Sequence, residues 1–369
     1  MRRLHSVFCA AGLIACALAT TSSSATASQS FDPLRDGHGV IVDGRSPPAV
    51  KAESWIVVDA DTGDVLAAKN AHEQLRPAST LKTLTAITLL PQLALDDEYR
   101  VRWEDAHVTG SAVGIVPGSR YTIDQLFYGL MLPSGNDAAR ALASANGGLA
   151  ATVRQMNATA HAVGAEDTHA ANPTGLDAPG QLTSAFDLAI FAHEGLADRD
   201  FRRYVSTTSV AFPAQEPKQK TRKRDSYMIY NQNPLLLDGY RGALGVKTGY
   251  TTQAGRTFVA AAERGDQSLI VALMGIVEPS DMAAERLLQW GWTHGESVRP
   301  VGSLEEREVK ASTDPSPSAT APPQSAGVGA STSDDSSSKR TVLAWGLAGL
   351  ALIAVGWLLQ QRRRGPLNR

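Results

Sequence analysis

A chain of 369 residues with a formal net charge of −2, from 35 basic and 37 acidic residues, has no strongly basic half and lacks the electrostatic footprint of a nucleic-acid binder. Its only cysteines are Cys9 and Cys16, both near the amino terminus, which excludes a disulfide framework or a zinc–cysteine site in the rest of the chain.

Residues 1–27 read as a secretory signal. Arg2 and Arg3 precede an apolar run over 7–19 that is too short for an ordinary membrane span, and Ala25-Thr26-Ala27 offers small residues for cleavage. Leu13-Ile14-Ala15-Cys16 is a competing lipidation box, but the apolar run continues past Cys16. The Arg pair lacks the rest of a twin-arginine signal.

Residues 32–301 read as one globular unit without internal repeats. Strand patterns over 55–60 and 64–69 flank Asp61-Thr62-Gly63, a hairpin signal. Asp-Thr-Gly also occurs in aspartic proteases, which need two carboxylates sharing a proton, and here there is a single copy. Residues 79–90 read as a helix entered through Pro77-Ala78. A second helix starts at Thr122, where Thr122 and Gln125 fit a capping box, and carries the core candidates Leu126, Phe127, Leu130 and Met131. Pro133-Ser134-Gly135 stops it, and residues 137–144 form a third. The stretch 101–197 is mostly helical, with loops around 172–180. Strand-like runs at 243–246, 257–262 and 269–274 and a helix over 282–290 close the unit. Two early strands, three late ones and helices between them predict an α/β (α+β) fold: an antiparallel sheet of about five strands, flanked by helices, with a mostly helical insert.

Residues 302–340 are dense in Ser, Pro, Ala, Thr and Gly, most strongly over 311–338, and cannot bury enough apolar surface to offset chain entropy. They are expected to form a disordered stalk. Residues 341–359 carry no charge and have the length of one transmembrane helix. Arg362-Arg363-Arg364 follow, so residues 360–369 are expected to be a cytoplasmic tail, with the globular unit outside the cell membrane.

Three elements carry chemistry. In Ser79-Thr80-Leu81-Lys82, helical i,i+3 spacing brings the lysine amine beside the serine hydroxyl. That hydroxyl is a weak nucleophile until a base takes its proton, and lysine is a base only when neutral, which desolvation and a second cation can achieve. The position near the helix start also aims the Ser79 N–H at a developing oxyanion. Ser134-Gly135-Asn136 places a hydroxyl able to pass a proton and an amide able to hold a substrate carbonyl and orient Lys82. Lys247-Thr248-Gly249 lies on a strand. Lys247 can lower the pKa of Lys82 and attract an anion, Thr248 can bond a carboxylate, and Gly249 lets a substrate approach the strand edge. Each element alone is weak: Ser336-x-x-Lys339 repeats the first and Ser144-Ala145-Asn146 the second. The ordered set is strong, and it calls for no cofactor and no metal; His193-Glu194 lacks the second histidine of a zinc-protease helix.

The ordered triple is the one found in penicillin-binding proteins and serine β-lactamases. The wording around it resembles the low-molecular-mass penicillin-binding proteins of the D-alanyl-D-alanine carboxypeptidase type. It includes Ala60-Asp61-Thr62-Gly63, Arg76-Pro77-Ala78-Ser79-Thr80, Met131-Leu132-Pro133-Ser134-Gly135-Asn136-Asp137-Ala138-Ala139, Asn172-Pro173-Thr174-Gly175-Leu176-Asp177 and Lys247-Thr248-Gly249-Tyr250-Thr251 with Ala254-Gly255. The tether and charge layout resemble actinobacterial members. The resemblance implies a penicillin-binding transpeptidase fold and a hydrolase acting on peptidoglycan stem peptides that end in D-Ala-D-Ala. In it Ser79 is acylated, Lys82 is the general base and Ser134 a proton relay. Asn136 positions substrate, Lys247 and Thr248 bind the terminal carboxylate, and the Ser79 and Tyr250 N–H groups form the oxyanion hole. It also implies acylation of Ser79 by β-lactam antibiotics. A basic residue that helps hold the carboxylate in some relatives is missing from 276–281. Competing readings are a D,D-endopeptidase with the same site, a serine β-lactamase using Glu166, and a non-catalytic wall-binding anchor.

Overall fold

The computed structural model describes residues 32–305, apart from residue 220. Seven strands form one antiparallel sheet: β1 Val40–Ile41, β2 Ser54–Asp59, β3 Asp64–Lys69, β4 Ala243–Thr251, β5 Gly255–Arg264, β6 Gln267–Ile276 and β7 Gly302–Ser303. Their order is β1-β3-β2-β6-β5-β4, and β7 also pairs with β3. Five of these are the expected strands. The two additional ones are two-residue pieces sharing the outer edge of β3, with Val40 opposite Lys69 and Gly302 opposite Val65. Too short to show any alternation, they leave no pattern in the sequence. The sheet thus reaches into residues whose composition reads as stalk: Val301 and Leu304 donate backbone hydrogen bonds to Val65 and Gly63, and Leu304 is buried.

The centre of the sheet joins the two ends of the domain, with Trp55 of β2 opposite Leu273 of β6. Both faces are covered, so its strands are nearly continuous apolar runs. Alternate residues still divide cleanly. Ile56, Val58, Val259, Ile270 and Ala272 face the helical insert. Trp55, Val57, Phe258, Val271 and Leu273 face the last helix, Ser280–His294, through its Ala283, Ala284, Leu287 and Leu288.

Four helices of the insert matter for the site: α1 Lys82–Leu89, α2 Ile123–Met131, α3 Asn136–Ala145 and α4 Leu149–Ala162. The capping box forms as expected. Thr122 Oγ1 accepts from the Gln125 N–H at 3.2 Å and Gln125 Oε1 accepts from the Thr122 N–H at 3.0 Å, and the four apolar residues of α2 are buried. Two further elements carry no clear sequence signal: a helix at Arg199–Ser206 and a two-stranded ribbon of Ser209–Pro213 and Ser226–Tyr230. The expected signal, most of the stalk, the apolar span and the basic tail lie outside the described residues.

Candidate active site

The nucleophile candidate sits on a tighter turn than an α-helix. Ala78–Leu81 is a 3-10 turn, and α-geometry begins only at Lys82. The cause lies in the entry: Ala78 takes a left-handed φ of 48° directly after Pro77. The Pro77 carbonyl is held by the Thr80 hydroxyl at 2.5 Å and by the Thr257 hydroxyl of β5 at 2.9 Å. In a 3-10 turn residues i and i+3 eclipse one another, so Lys82 stands directly beside Ser79. Lys82 Nζ lies 3.0 Å from Ser79 Oγ.

Lys82 is fully buried, and two more acceptors surround its amine: Asn136 Oδ1 at 2.8 Å and the Thr174 carbonyl at 2.5 Å. Burial drives its pKa well below the usual lysine value, and the charge of Lys247 pushes the same way; Asp137 opposes both. Its Nζ donates to all three oxygens, Ser79 Oγ, Asn136 Oδ1 and the Thr174 carbonyl, so the amine is held from three sides.

The Ser134 turn is as sharp as Pro133 and Gly135 suggest. Ser134 has φ of 63°, and the Gly135 N–H returns to the Gly129 carbonyl. Ser134 is buried, and its Oγ has no hydrogen-bond partner among the described residues, so it is not yet joined to Lys82. Asn136, at the start of α3, is occupied on both sides of its amide. Oδ1 receives Lys82, and Nδ2 donates to the Thr109 carbonyl at 2.7 Å. Its first task is therefore to orient the lysine, and one amide hydrogen remains for a substrate. Asp137 next to it gathers the N–H groups of Val113, Gly114 and Ile115, fixing the loop that runs past Asn136.

Lys247 projects from β4, almost fully buried, its Nζ donating to the Thr248 carbonyl at 3.0 Å. Burial brings its pKa down to about 7. Thr248 Oγ1 makes no hydrogen bond among the described residues, and Tyr250 is exposed. Gly249 is required for a reason beyond substrate access. A Cβ there would lie 2.8 Å from the Ser79 nitrogen and 2.4 Å from Thr257 Oγ1, so the nucleophile turn packs directly on this strand. Among the described residues, the distal edge of β4 has no partner strand.

Residues 42–277 match the family described as Peptidase S11, D-alanyl-D-alanine carboxypeptidase. The chain belongs to this family. It is 40% identical over 265 residues to the D-alanyl-D-alanine carboxypeptidase DacB2 of Mycobacterium tuberculosis, covering 70% of this chain and 87% of that one. With DacF of Bacillus subtilis it shares 32% over 243 residues, which span 64% of this chain and 60% of the relative. Among solved structures, a D-alanyl-D-alanine carboxypeptidase from Mycobacterium tuberculosis matches with a TM-score of 0.66 at 37% identity, covering 71% of this chain and 99% of that one. The Streptomyces K15 DD-transpeptidase matches with a TM-score of 0.63 at 28% identity, covering 68% of this chain and its whole length.

Family membership leaves one part of this carboxypeptidase site to the structure. The Thr174 carbonyl, a direct acceptor for Lys82, has no sequence signature of its own, yet it lies inside the motif Asn172–Asp177. Asn172 Oδ1 gathers the Thr174 N–H, the Thr174 hydroxyl and the Gly175 N–H, folding the loop on itself. Gly175, at φ of 82°, would place a Cβ against the Ala78 carbonyl at 1.9 Å, so only glycine lets the loop lie on the nucleophile turn. Asp177 then receives the Thr251 hydroxyl of β4 at 2.9 Å. The other sequence candidates fall elsewhere. Glu166 meets His161 at the surface, 3.5 Å away. Ser144 bonds Asp105 and Asn146 caps its helix toward Gln155. The stretch 276–281 holds no base, and its Glu278 accepts from Arg286 at 2.7 Å.

Proposed function

We propose that Ser79 cleaves the terminal D-Ala from peptidoglycan stem pentapeptides through an acyl-enzyme, as a serine D-alanyl-D-alanine carboxypeptidase. The carrying observation is the buried Lys82 amine, 3.0 Å from Ser79 Oγ and held by Asn136 Oδ1 and the Thr174 carbonyl.

Neutral Lys82 takes the hydroxyl proton as Ser79 Oγ attacks the penultimate D-Ala carbonyl. The oxyanion that forms is received by the N–H groups of Ser79 and Tyr250. The terminal carboxylate lies against Lys247 and Thr248. Collapse breaks the C–N bond, and the proton on Lys82 passes to the leaving amine with Ser134 Oγ as relay. This gives the unpartnered Ser134 hydroxyl its partner when substrate arrives. A water molecule, deprotonated by the same lysine, then releases the acyl group and regenerates Ser79. With no base between Ile276 and Asp281, the carboxylate depends on Lys247 and Thr248 alone at that end. Penicillins enter the first half of this cycle, because their strained amide presents the same carbonyl and carboxylate.

The test is intact-mass measurement of the domain after benzylpenicillin. One added penicilloyl mass is expected on the native protein and none on Ser79→Ala. An unlabelled native protein would refute the reading. Fast nitrocefin turnover instead of a lasting adduct would favour a β-lactamase, a reading Glu166 does not support from the surface.

The placement of this enzyme rests on composition. We read residues 1–27 as an export signal, 302–340 as mostly stalk, 341–359 as a single span and 360–369 as a cytoplasmic tail. Among the described residues no helix is long and apolar enough to cross a membrane. Protease added to intact cells should remove the domain and spare a membrane-bound carboxy-terminal fragment; a domain shielded until lysis would sink this topology.

A further inference from the structure

Three parts of the site meet in a ring: the nucleophile turn Ala78–Leu81, the loop 172–177 and β4. The turn rests on β4 at Gly249, and the loop rests on the turn where Gly175 meets the Ala78 carbonyl. The loop also reaches Lys82 through the Thr174 carbonyl. A side-chain bond between loop and strand closes the ring, the Thr251 hydroxyl donating to Asp177 Oδ1 at 2.9 Å. Thr251 Oγ1 also accepts the Ala254 N–H at 3.0 Å, so its only hydrogen is committed to Asp177 and its acceptor side to the turn that ends β4.

These contacts differ in what they resist. At Gly175 and Gly249 the parts touch without a side chain, and such contact opposes further approach far more than it opposes separation. A hydrogen bond opposes separation. The end of β4 needs that hold, because among the described residues its distal edge has no partner strand. Tyr250 is exposed, and neither its side chain nor that of Thr248 makes a hydrogen bond among the described residues. Beyond Gly249, Thr251 is thus the one described side chain of β4 that bonds to another element. Tyr250 sits between these two fixed points. Its N–H can receive an oxyanion only within about 2.7–3.1 Å, so a small drift of the strand end acts on the chemical step.

We infer that Asp177 and Thr251 are positioning residues for acyl transfer. Their hydrogen bond holds the end of β4, and with it the Tyr250 N–H, in place against Ser79 and against the loop that orients Lys82. Lys247 and Thr248 lie on the other side of Gly249, so the grip on a carboxylate does not depend on this bond. Its loss slows chemistry and spares binding.

This role rests on the acyl-enzyme reading, and acylation by benzylpenicillin separates the two. Rapid mixing resolves the initial binding constant from the rate constant of acylation. Thr251→Val keeps the side-chain shape and removes the hydroxyl; Asp177→Ala removes the acceptor. Each should slow acylation by about tenfold or more, the effect of losing one hydrogen bond to a carboxylate, and leave the binding constant unchanged. Thr251→Ser and Asp177→Asn keep a donor and an acceptor, and should retain most of the native rate. The double variant Asp177→Ala/Thr251→Val should be no slower than the slower single variant, because all three lose the same bond. Native rates in the single variants, a loss confined to binding, or a double variant slowed by the product of the single effects overturns the positioning role and leaves the acyl-enzyme standing. If Asp177→Ala does not fold, Thr251→Val against Thr251→Ser decides alone, and equal rates overturn the role. A native protein that benzylpenicillin leaves unlabelled overturns both.

Discussion

Lys82 shows how much of the chemistry resides in single side chains. An ammonium in that position faces two opposing effects, loss of water by burial, which weighs more, and the charge of a second cation. Lys247 supplies the second. Since a positive Lys247 disfavours a proton on Lys82, Lys247→Gln should raise the pKa of Lys82. At a given pH less of the base is then neutral. The acid limb of penicillin acylation, followed from pH 5 to 10, should move to higher pH whatever happens to its amplitude. An unmoved limb, or one moved to lower pH, would mean that the two amines are not coupled. Ser79, Lys82, Asn136 and Lys247 were legible in the sequence because each is a chemically distinct side chain at a fixed spacing. The Thr174 carbonyl was not, since every residue has a carbonyl and only the fold selects one. The double use of the Asn136 amide was hidden for the same reason: Thr109, its second partner, belongs to no motif.

At the level of elements, local chemistry was readable and tertiary override was not. The Asp61-Thr62-Gly63 hairpin and the Thr122 capping box depend on neighbours three or four residues away and formed as expected. The 3-10 turn at Ser79 depends on Thr257, 180 residues distant, which holds the Pro77 carbonyl. The ribbon beginning at Ser209 owes its place to contacts such as the Tyr227 hydroxyl on the Val113 carbonyl, again far apart in sequence. The helix Ala185–Ala197 carries a different burden. Its Asp187 is buried, with Oδ1 unpartnered, and burial followed by the charge of Asp167 pushes its pKa up to about 7. The folded state thus keeps a proton that the unfolded chain releases near pH 4. Stability from this group is fully present below that value and is lost as pH rises through 7, by at most about 4 kcal/mol. Asp187→Asn, neutral at every pH, should flatten the fall in Tm between pH 4 and 7 when both proteins are melted side by side. Parallel curves would show that Asp187 is already ionised in the folded protein.

For the whole molecule, the sheet draws on both ends of the domain, and its last piece lies where composition had already turned toward stalk. Gly302–Ser303 pairs with β3, Leu304 is buried, and a Cβ on Gly302 would reach Leu34 at 2.4 Å. A chain truncated after residue 305 should keep the Tm of the full domain. Truncation after residue 300 removes one buried leucine and several backbone hydrogen bonds, a loss of about 2–3 kcal/mol that should lower the Tm by about 5 °C or more. Equal melting temperatures would mean that these residues are dispensable. Composition could not show where the fold ends, because a two-residue strand is specified by its partner rather than by its own sequence.

The pairing of β2 with β6 also governs when the nucleophile comes alive. Contacts that close loops of some two hundred residues form late and slowly, since chain entropy must be overcome before they contribute. Ser79 emerges early in synthesis, but the strand beneath it and the second lysine come only with the last third of the domain. A nascent chain that ends before β4 has neither Lys247 nor the strand on which Ser79 packs, so its site is incomplete until those strands are made.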